Sequence, residues 1–367
     1  MCSLGKIKKG GNIMKYQIKP LVEATVEDKE KLAQFVPRYL YDPDVLECNR
    51  FKYWFFSLIF GCCIAMVKIF LRPRKGDVGN LDIYEVEAVY DKEAASYDWK
   101  HHMTTRGMDL IWRRQAGWFV VNQARKHQNK VRVLDLCTGT GLTIEEIIKV
   151  LREWKLGAQV VGLDYNQKML EVATARHNGS HLNSVEVSFV RGNAMKMVDN
   201  QEDGFANLTA NSFDLATQVF GIGGIDGSQD VFYEVLKVLR PGGRYLMIDM
   251  HQPIASQPCE IPFFWKWLSF PAIEHLAYYH HTMSVVLNRL WGWKDPTLDF
   301  YLLPLATWQD SDGAWWGFET TSFEMENQRW WFGLPVMPIA RITVEKVRIS
   351  EFEAKTQQEV AKIMMSQ

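Results

Sequence analysis

The chain has 367 residues, 47% of them hydrophobic, and a formal net charge of −1. That length holds one large domain with additions, and the balanced charge excludes a general electrostatic affinity for nucleic acid. The six cysteines (Cys2, Cys48, Cys62, Cys63, Cys137 and Cys259) include no Cys-x-x-Cys pair, so no metal site is expected and a reducing compartment is.

Residues 1–50 read as an N-terminal extension. It holds an amphipathic-looking stretch from Glu27 to Leu40, interrupted by Pro37, to which no role attaches. Residues 51–75 are a membrane-anchor candidate. From Tyr53 to Leu71 only Ser57 and Lys68 interrupt the apolar run. At about 1.5 Å per residue this is just long enough to cross a ~30 Å hydrocarbon layer. Arg50 and Lys52 flank one end, and Lys68, Arg72, Arg74 and Lys75 the other, while Tyr53 and Trp54 suit an interface. Three readings stay open: a spanning helix, an interfacial or re-entrant anchor, and a buried helix. If the run spans, the stronger basic cluster puts the downstream domain on the cytoplasmic side and the first fifty residues across the membrane. Cys62-Cys63 reads as two buried thiols or as a palmitoylation target.

Residues 76–253 carry the clearest pattern. Val131-Arg-Val-Leu-Asp-Leu136 predicts a strand, Cys137-Thr-Gly-Thr-Gly141 a tight turn, and Ile144 to Leu151 a helix. This is the opening of an α/β sheet that binds a nucleoside at the strand's C-terminal edge. Gly139 and Gly141 allow unusual backbone angles and a close ligand approach. A dinucleotide fingerprint needs a third glycine where Ile144 stands, which weighs against a nicotinamide dehydrogenase. The next strand, Val160 to Asp164, ends in an acid placed for two ribose hydroxyls, and Tyr165 opens the following helix. Val185 to Met195 alternates like a third strand that ends at Asn193, next to Ala194. Ser212 to Gly221, with Gln218 and Phe220, reads as the fourth strand and its loop. Val235 to Asp249, broken at Pro241-Gly242-Gly243, reads as a helix, a turn and the fifth strand.

Four ordered strand ends of this kind resemble the class I S-adenosylmethionine (SAM) methyltransferases. A narrower resemblance lies in Tyr90-Asp-Lys-Glu-Ala-Ala-Ser-Tyr-Asp98, Gly107 to Arg114, Asn193, Phe220-Gly221-Ile222 and Ile248-Asp-Met-His-Gln-Pro253. These are similar to the ubiquinone/menaquinone biosynthesis C-methyltransferase family, over roughly residues 88–253. The resemblance implies SAM as cofactor, held by Tyr97, Asp135, Cys137, Thr138, Gly139, Gly141, Asp164, Tyr165, Asn193, Ala194, Gln218 and Phe220. It also implies a Rossmann-like sheet with helices on both faces. One departure stands out: the family carries an Arg-Asn pair after the Phe-Gly-Leu/Ile step, and this chain has Gly223-Gly224.

Residues 254–338 form an aromatic insertion after the fifth strand, holding Trp265, Trp267, Trp291, Trp293, Trp308, Trp315, Trp316, Trp330 and Trp331. Such an insertion suits a lid over an apolar, ring-bearing or lipid acceptor, or else the aromatics form the insertion's own core. Asp312 to Phe323 and Asn327 to Phe332 read as a strand pair. Residues 339–367 supply a final strand, Ile339 to Ile349, and a tail.

The sulfonium methyl is already electrophilic, so the protein must position an acceptor and exclude water. For a phenol-type acceptor a base removes the hydroxyl proton and makes the ortho carbon nucleophilic. Candidates are His251 after the fifth strand, with Asp249 to orient it, and His101 and His102 beside the Tyr97 segment. His280-His281 lacks carboxylate or thiol partners at metal-ligand spacing. The expected activity is methyl transfer to a quinone-type or other lipid ring carbon by a membrane-associated enzyme. The alternatives are an oxygen or nitrogen acceptor, or a catalytically silent SAM-binding subunit of a membrane biosynthetic complex. The sequence leaves the oligomeric state open.

Overall fold

The computed structural model describes residues 26–35, scattered positions between 58 and 70, and residues 83–126, 130–177, 184–252, 272–326, 330–331, 334–335 and 337–365. Cys2, Cys48, Cys259, Trp265 and Trp267 lie outside them, as does most of the 53–71 run.

Apolar strands that bury both faces call for helices above and below a parallel sheet. Here β1 (Val131–Leu136) pairs in parallel with β2 (Ala158–Asp164) and β4 (Phe213–Val219). Strand β3 (Val185–Arg191) extends one side and β5 (Leu239–Met250) the other. Beyond β5 the sheet continues antiparallel through β10 (Ile339–Ile349), β7 (Trp315–Glu326) and β6 (Thr307–Gln309), in the order β3-β2-β1-β4-β5-β10-β7-β6. This is a Rossmann-like α/β methyltransferase fold.

Alternation along β1 divides the core. Val131 and Val133 pack beneath α4 (Met108–Ala124) and α5 (Leu142–Glu153), against Trp112, Val120, Ile144 and Ile147. Leu134 and Leu136 face the opposite side, with Val231, Phe232 and Val235 of α7 (Ser228–Val238). Gly117 lets α4 and α5 approach closely, since a Cβ there would lie 2.7 Å from Val150 Cγ2. Near the start of β5 Gly242 takes φ +75, and the β4–β5 register shifts between Phe213 and Leu215.

Three expectations change. First, among the described residues, Asp312–Phe323 does not pair with Trp330–Trp331 of the expected partner Asn327–Phe332. Strand β7 instead lies between β6 and β10, while Trp330–Trp331 (β8) pairs with Leu334–Pro335 (β9) in a separate two-stranded sheet. Strand β7 is long enough to extend the main sheet, and β10 offers it a full-length partner. Second, a boundary at residue 338 would therefore cut through one sheet: the stretch set apart as a lid contributes two of its strands. Third, α1 (Val26–Leu32) rests on the catalytic body, with Leu32 buried in its core and Lys31 Nζ 2.9 Å from Glu359 of α10 (Glu351–Met365). A spanning helix at 53–71 would put α1 and the body it touches on opposite sides of a bilayer. Among the described residues no helix is long and apolar enough to cross a membrane.

Candidate active site

The strand order reverses between β1 and β4, and a crevice opens at the carboxyl ends of the strands there. The loop after β1 turns through Cys137 (φ +52), Gly139 (φ +56) and Gly141 (φ +81). The two glycines serve different purposes. At Gly139 a Cβ would meet nothing closer than 4.0 Å, so this residue borders open space. At Gly141 a Cβ would come within 3.0 Å of the His177 ring and 3.2 Å of Ala173, so that glycine serves helix packing. Asp164 fixes the loop from β2: its Oδ2 accepts the Gly139 N–H (2.8 Å) and its Oδ1 the Asn166 N–H (2.9 Å). Burial raises the Asp164 carboxyl above its ordinary value, opposed by these N–H groups.

A cavity of about 350 Å³ occupies the crevice. Of the cofactor candidates, Tyr97, Cys137, Gly139, Asp164, Tyr165, Asn193, Ala194 and Phe220 line it. Asp135, Thr138, Gly141 and Gln218 stand behind the wall instead. Asp135 is buried and accepts the hydroxyls of Thr138 and Thr217, both at 2.7 Å, and burial pushes its pKa to about 6. Gln218 is buried too, donating to Cys137 Sγ at 3.3 Å and accepting the Tyr245 hydroxyl. These residues hold the loop's shape rather than touch what enters it.

The roof comes from α2 (Ile83–Glu93) and α3 (Tyr97–Thr105). Tyr90 and Tyr97 point into the cavity with ring centroids 5.9 Å apart, and burial pushes Tyr97 up to about 12. Asp98 ties α3 to Thr140 and Arg176, while Asn166 donates to Asp91 (2.9 Å) and Arg191 pairs with Glu87 (3.0 Å) to hold α2. Tyr90 was legible as the first residue of the Tyr90–Asp98 motif, although only Tyr97 was singled out. Asn166, Ile225 and Asp226, which also line the cavity, had no sequence signal of their own.

The four candidate catalytic residues separate. His251 is fully buried, its Nδ1 facing Gln252 O, its Nε2 3.0 Å from the Tyr301 hydroxyl, and its ring edge-on to Phe300, Tyr301 and Phe323. Burial lowers its pKa to about 4, and it does not reach the cavity. Asp249 is buried beside it in sequence but does not orient it. Its Oδ1 accepts the Met250 N–H at 2.8 Å, and burial raises its pKa to about 7 against the neighbouring N–H groups of Met250, Gly223 and Ile222. His102 is half exposed on the outer side of α3. His101 does not itself line the cavity, but of the four it alone packs directly behind residues that do, its ring 5.5 Å from that of Tyr97 and 5.1 Å from that of Phe220.

A further residue organises this corner. Arg106 (φ +54) and Gly107 (φ +78) turn the chain sharply from α3 into α4 and bring Asp109 back under α3. Asp109 Oδ2 lies 3.6 Å from His101 Nδ1, and its Oδ1 lies 3.2 Å from His102 Nδ1 and 2.9 Å from Thr105 Oγ1. Against the burial that would raise it, His101, Thr105 and Arg113 hold the Asp109 carboxyl below its ordinary value. Burial lowers His101, opposed by the Asp109 carboxylate, so the imidazole is a neutral acceptor at physiological pH. Sequence reading passed over Asp109 because nothing in a Gly-Met-Asp-Leu run shows that a helix corner will fold it onto a histidine eight residues earlier.

The lining fits an adenosyl sulfonium. Asp164 keeps free lone pairs for hydroxyls, Asn193 presents a side-chain amide, and the Tyr97 and Phe220 rings suit a cation. A class I SAM methyltransferase is what this sheet and crevice define, and SAM is its cofactor. The model of the ubiE/COQ5 methyltransferase family matches residues 79–277, just over half of the chain, and the chain belongs to that family. It is 29% identical over 191 residues to the demethylmenaquinone methyltransferase of Lactiplantibacillus plantarum, which covers 52% of this chain and 71% of that protein. A protein of the same name from Listeria welshimeri is 29% identical over 169 residues, covering 46% of this chain and 64% of the relative. The chain therefore spans about two thirds of the length of these relatives. Among solved structures, phosphoethanolamine N-methyltransferase 1 of Haemonchus contortus aligns with a TM-score of 0.46 and 14% identity, over 78% of this chain and 54% of that one.

Proposed function

We propose that this methyltransferase acts on a ring carbon of a reduced quinone or closely related lipid phenol. The observation that carries the reading is the position of His101: a buried neutral imidazole, backed by Asp109, packed against the Tyr97 and Phe220 rings that line the SAM crevice. The names of the relatives support the acceptor class.

When bound, SAM supplies a methyl group on a positively charged sulfur. Asp164, Asn193 and the Gly139 backbone hold it, and the roof rings of Tyr90 and Tyr97 keep water away. His101 takes the acceptor's hydroxyl proton at Nε2, because Asp109 faces Nδ1 and favours the tautomer protonated there. Loss of that proton raises electron density on the ring carbon; as this carbon takes the methyl group the S–CH3 bond would break, leaving the neutral thioether, and the carbon's own hydrogen would then leave as a proton to restore the aromatic ring.

The acceptor's tail implies association with a membrane, the catalytic domain lying on its cytoplasmic side. Helical residues between 58 and 70 support an interfacial anchor, since Leu58, Ile59, Met66, Ile69 and Phe70 are all exposed.

The test is His101→Gln, assayed for methyl transfer to a short-chain 2-prenyl-1,4-naphthoquinol kept reduced. The rate falls about 10²-fold or more while S-adenosylhomocysteine binding is unchanged. An unchanged rate removes His101 as the base.

A further inference from the structure

The glycine pair after Phe220-Gly221-Ile222 has a physical explanation. Gly223 does not adopt a left-handed conformation, so its φ angle does not require glycine. What requires it is Trp293. A Cβ built on Gly223 would lie 1.9 Å from Trp293 Nε1, 2.4 Å from Cδ1 and 2.5 Å from Cε2, so the indole lies directly against the glycine Cα. No side chain at 223 is compatible with that indole in place.

The same short segment reaches the roof. Helix α8 (Ala272–Trp291) ends with Trp291, whose ring centroid is 6.4 Å from that of Tyr97. Gly292 (φ +70) then turns the chain, and Trp293 follows. Lys294 N–H donates to Gly223 O at 2.6 Å, and Asn288 Nδ2 to Trp293 O at 3.1 Å, fixing the peptide that follows the second indole. Gly221 and Gly224, on either side of the covered residue, line the cavity. One indole is thus seated on the roof and the other on the loop after β4.

We infer that Trp291-Gly292-Trp293 is a clasp that shapes the acceptor side of the cavity, with Trp293, itself buried and outside the lining, as the positioning residue behind the Gly221–Gly224 loop. The inference rests on the proposed ring acceptor. Where the family pattern offers two polar side chains, this chain offers bare glycine backbone, held from behind by a buried indole. The β4 loop therefore meets a flat, apolar ring by shape and contact area rather than by side-chain hydrogen bonds, and the buried indole sets that shape. Gly223 is the complementary half of the device, since any side chain there evicts the indole.

The test uses full-length wild type, Gly223→Ala, Trp293→Ala and the double variant. S-adenosylhomocysteine affinity reads the fold and the cofactor crevice. Two further measurements read the acceptor side: KM for the reduced short-chain prenyl naphthoquinol, and binding of menadione with S-adenosylhomocysteine present, followed by quenching of tryptophan fluorescence. The clasp predicts cofactor affinity within about threefold throughout, and acceptor KM and menadione Kd raised about tenfold or more in each single variant, one decade being ~1.4 kcal/mol. The double variant is no worse than the worse single one, because the alanine has room once the indole is gone. Should Gly223→Ala lose cofactor binding through misfolding, Trp293→Phe takes its place, with a smaller rise in the same two quantities.

Unchanged acceptor KM and menadione binding in the single variants overturn the clasp, as do losses that add in the double variant. A wild type that binds menadione without methylating the naphthoquinol overturns the acceptor reading and leaves the clasp to be decided by the menadione series. A wild type that binds S-adenosylhomocysteine but neither probe overturns both.

Discussion

The cofactor end and the acceptor end of this molecule are built by different means. At the cofactor end the work is done by backbone: a loop with three left-handed residues, N–H groups anchored on Asp164, and Asp135 gripping two threonine hydroxyls from within the sheet. At the acceptor end it is done by bulk, with one indole on Gly223 and another against Tyr97. Hydrogen-bonded loops leave a mark on sequence because few residues tolerate their geometry. Packed aromatics leave little mark, because what an indole touches depends on where a distant helix ends.

The largest effect that sharpens this contrast belongs to Asp164→Ala. The substitution removes the anchor of both the Gly139 and Asn166 N–H groups together with the carboxylate at the ribose position. S-adenosylhomocysteine affinity in titration calorimetry falls about 100-fold or more, a cost of ~2.7 kcal/mol, while the far-ultraviolet circular dichroism is unchanged. Retained affinity would mean that the backbone loop does not need its anchor.

Asp249 gives an intermediate effect, on stability. Burial raises its folded pKa from 3.8 to about 7, so between those values the folded state holds a proton that the unfolded state lacks. Its contribution is present at low pH and is lost as pH rises toward about 7, with a slope on the order of 1 kcal/mol per pH unit. Urea melts of wild type and Asp249→Asn at several pH values show the wild type losing stability relative to the variant over that window. Parallel curves would mean that Asp249 is ionised throughout.

The smallest effect separates the tryptophans themselves. Trp308 and Trp316 enclose the buried Lys346 ammonium, at 4.7 and 5.1 Å from their ring centroids, on the strands beyond β5. Trp308→Leu lowers stability by about 1–2 kcal/mol and leaves acceptor KM and S-adenosylhomocysteine affinity unchanged. A raised acceptor KM would extend the acceptor side to the far edge of the sheet.

Much of the fold was legible in the sequence, and the reason is specific. Each of β1 to β5 is a run of apolar residues ending in a motif that only a strand-to-turn transition explains, so order and spacing define the sheet. In the antiparallel edge the strand Ile339–Ile349 was legible, but the pairing of β7 was not, because Trp315–Glu326 alternates well enough to pair with either neighbour and only the complete sheet decides. In the site, Asp164, Asn193, Gly139 and Tyr97 were legible from backbone-defined motifs. His251 was misjudged because the C-terminal edge of β5 is near the crevice in sequence pattern, whereas the ring turns into the Phe300–Tyr301–Phe323 cluster. Asp109 and Trp293 were missed because each acts through a corner, at Gly107 and Gly292, that brings together residues with no common motif.

The central claim is methylation of a quinone ring carbon, and the most direct measurement follows the methyl group itself. Full-length protein, methyl-labelled SAM and a short-chain demethylated prenyl naphthoquinol, kept reduced, are incubated, and the product is located by NMR. The account predicts label on the ring carbon next to a hydroxyl, formed by wild type and lost in His101→Gln. Label on oxygen, or no transfer by protein that binds S-adenosylhomocysteine normally, would contradict it.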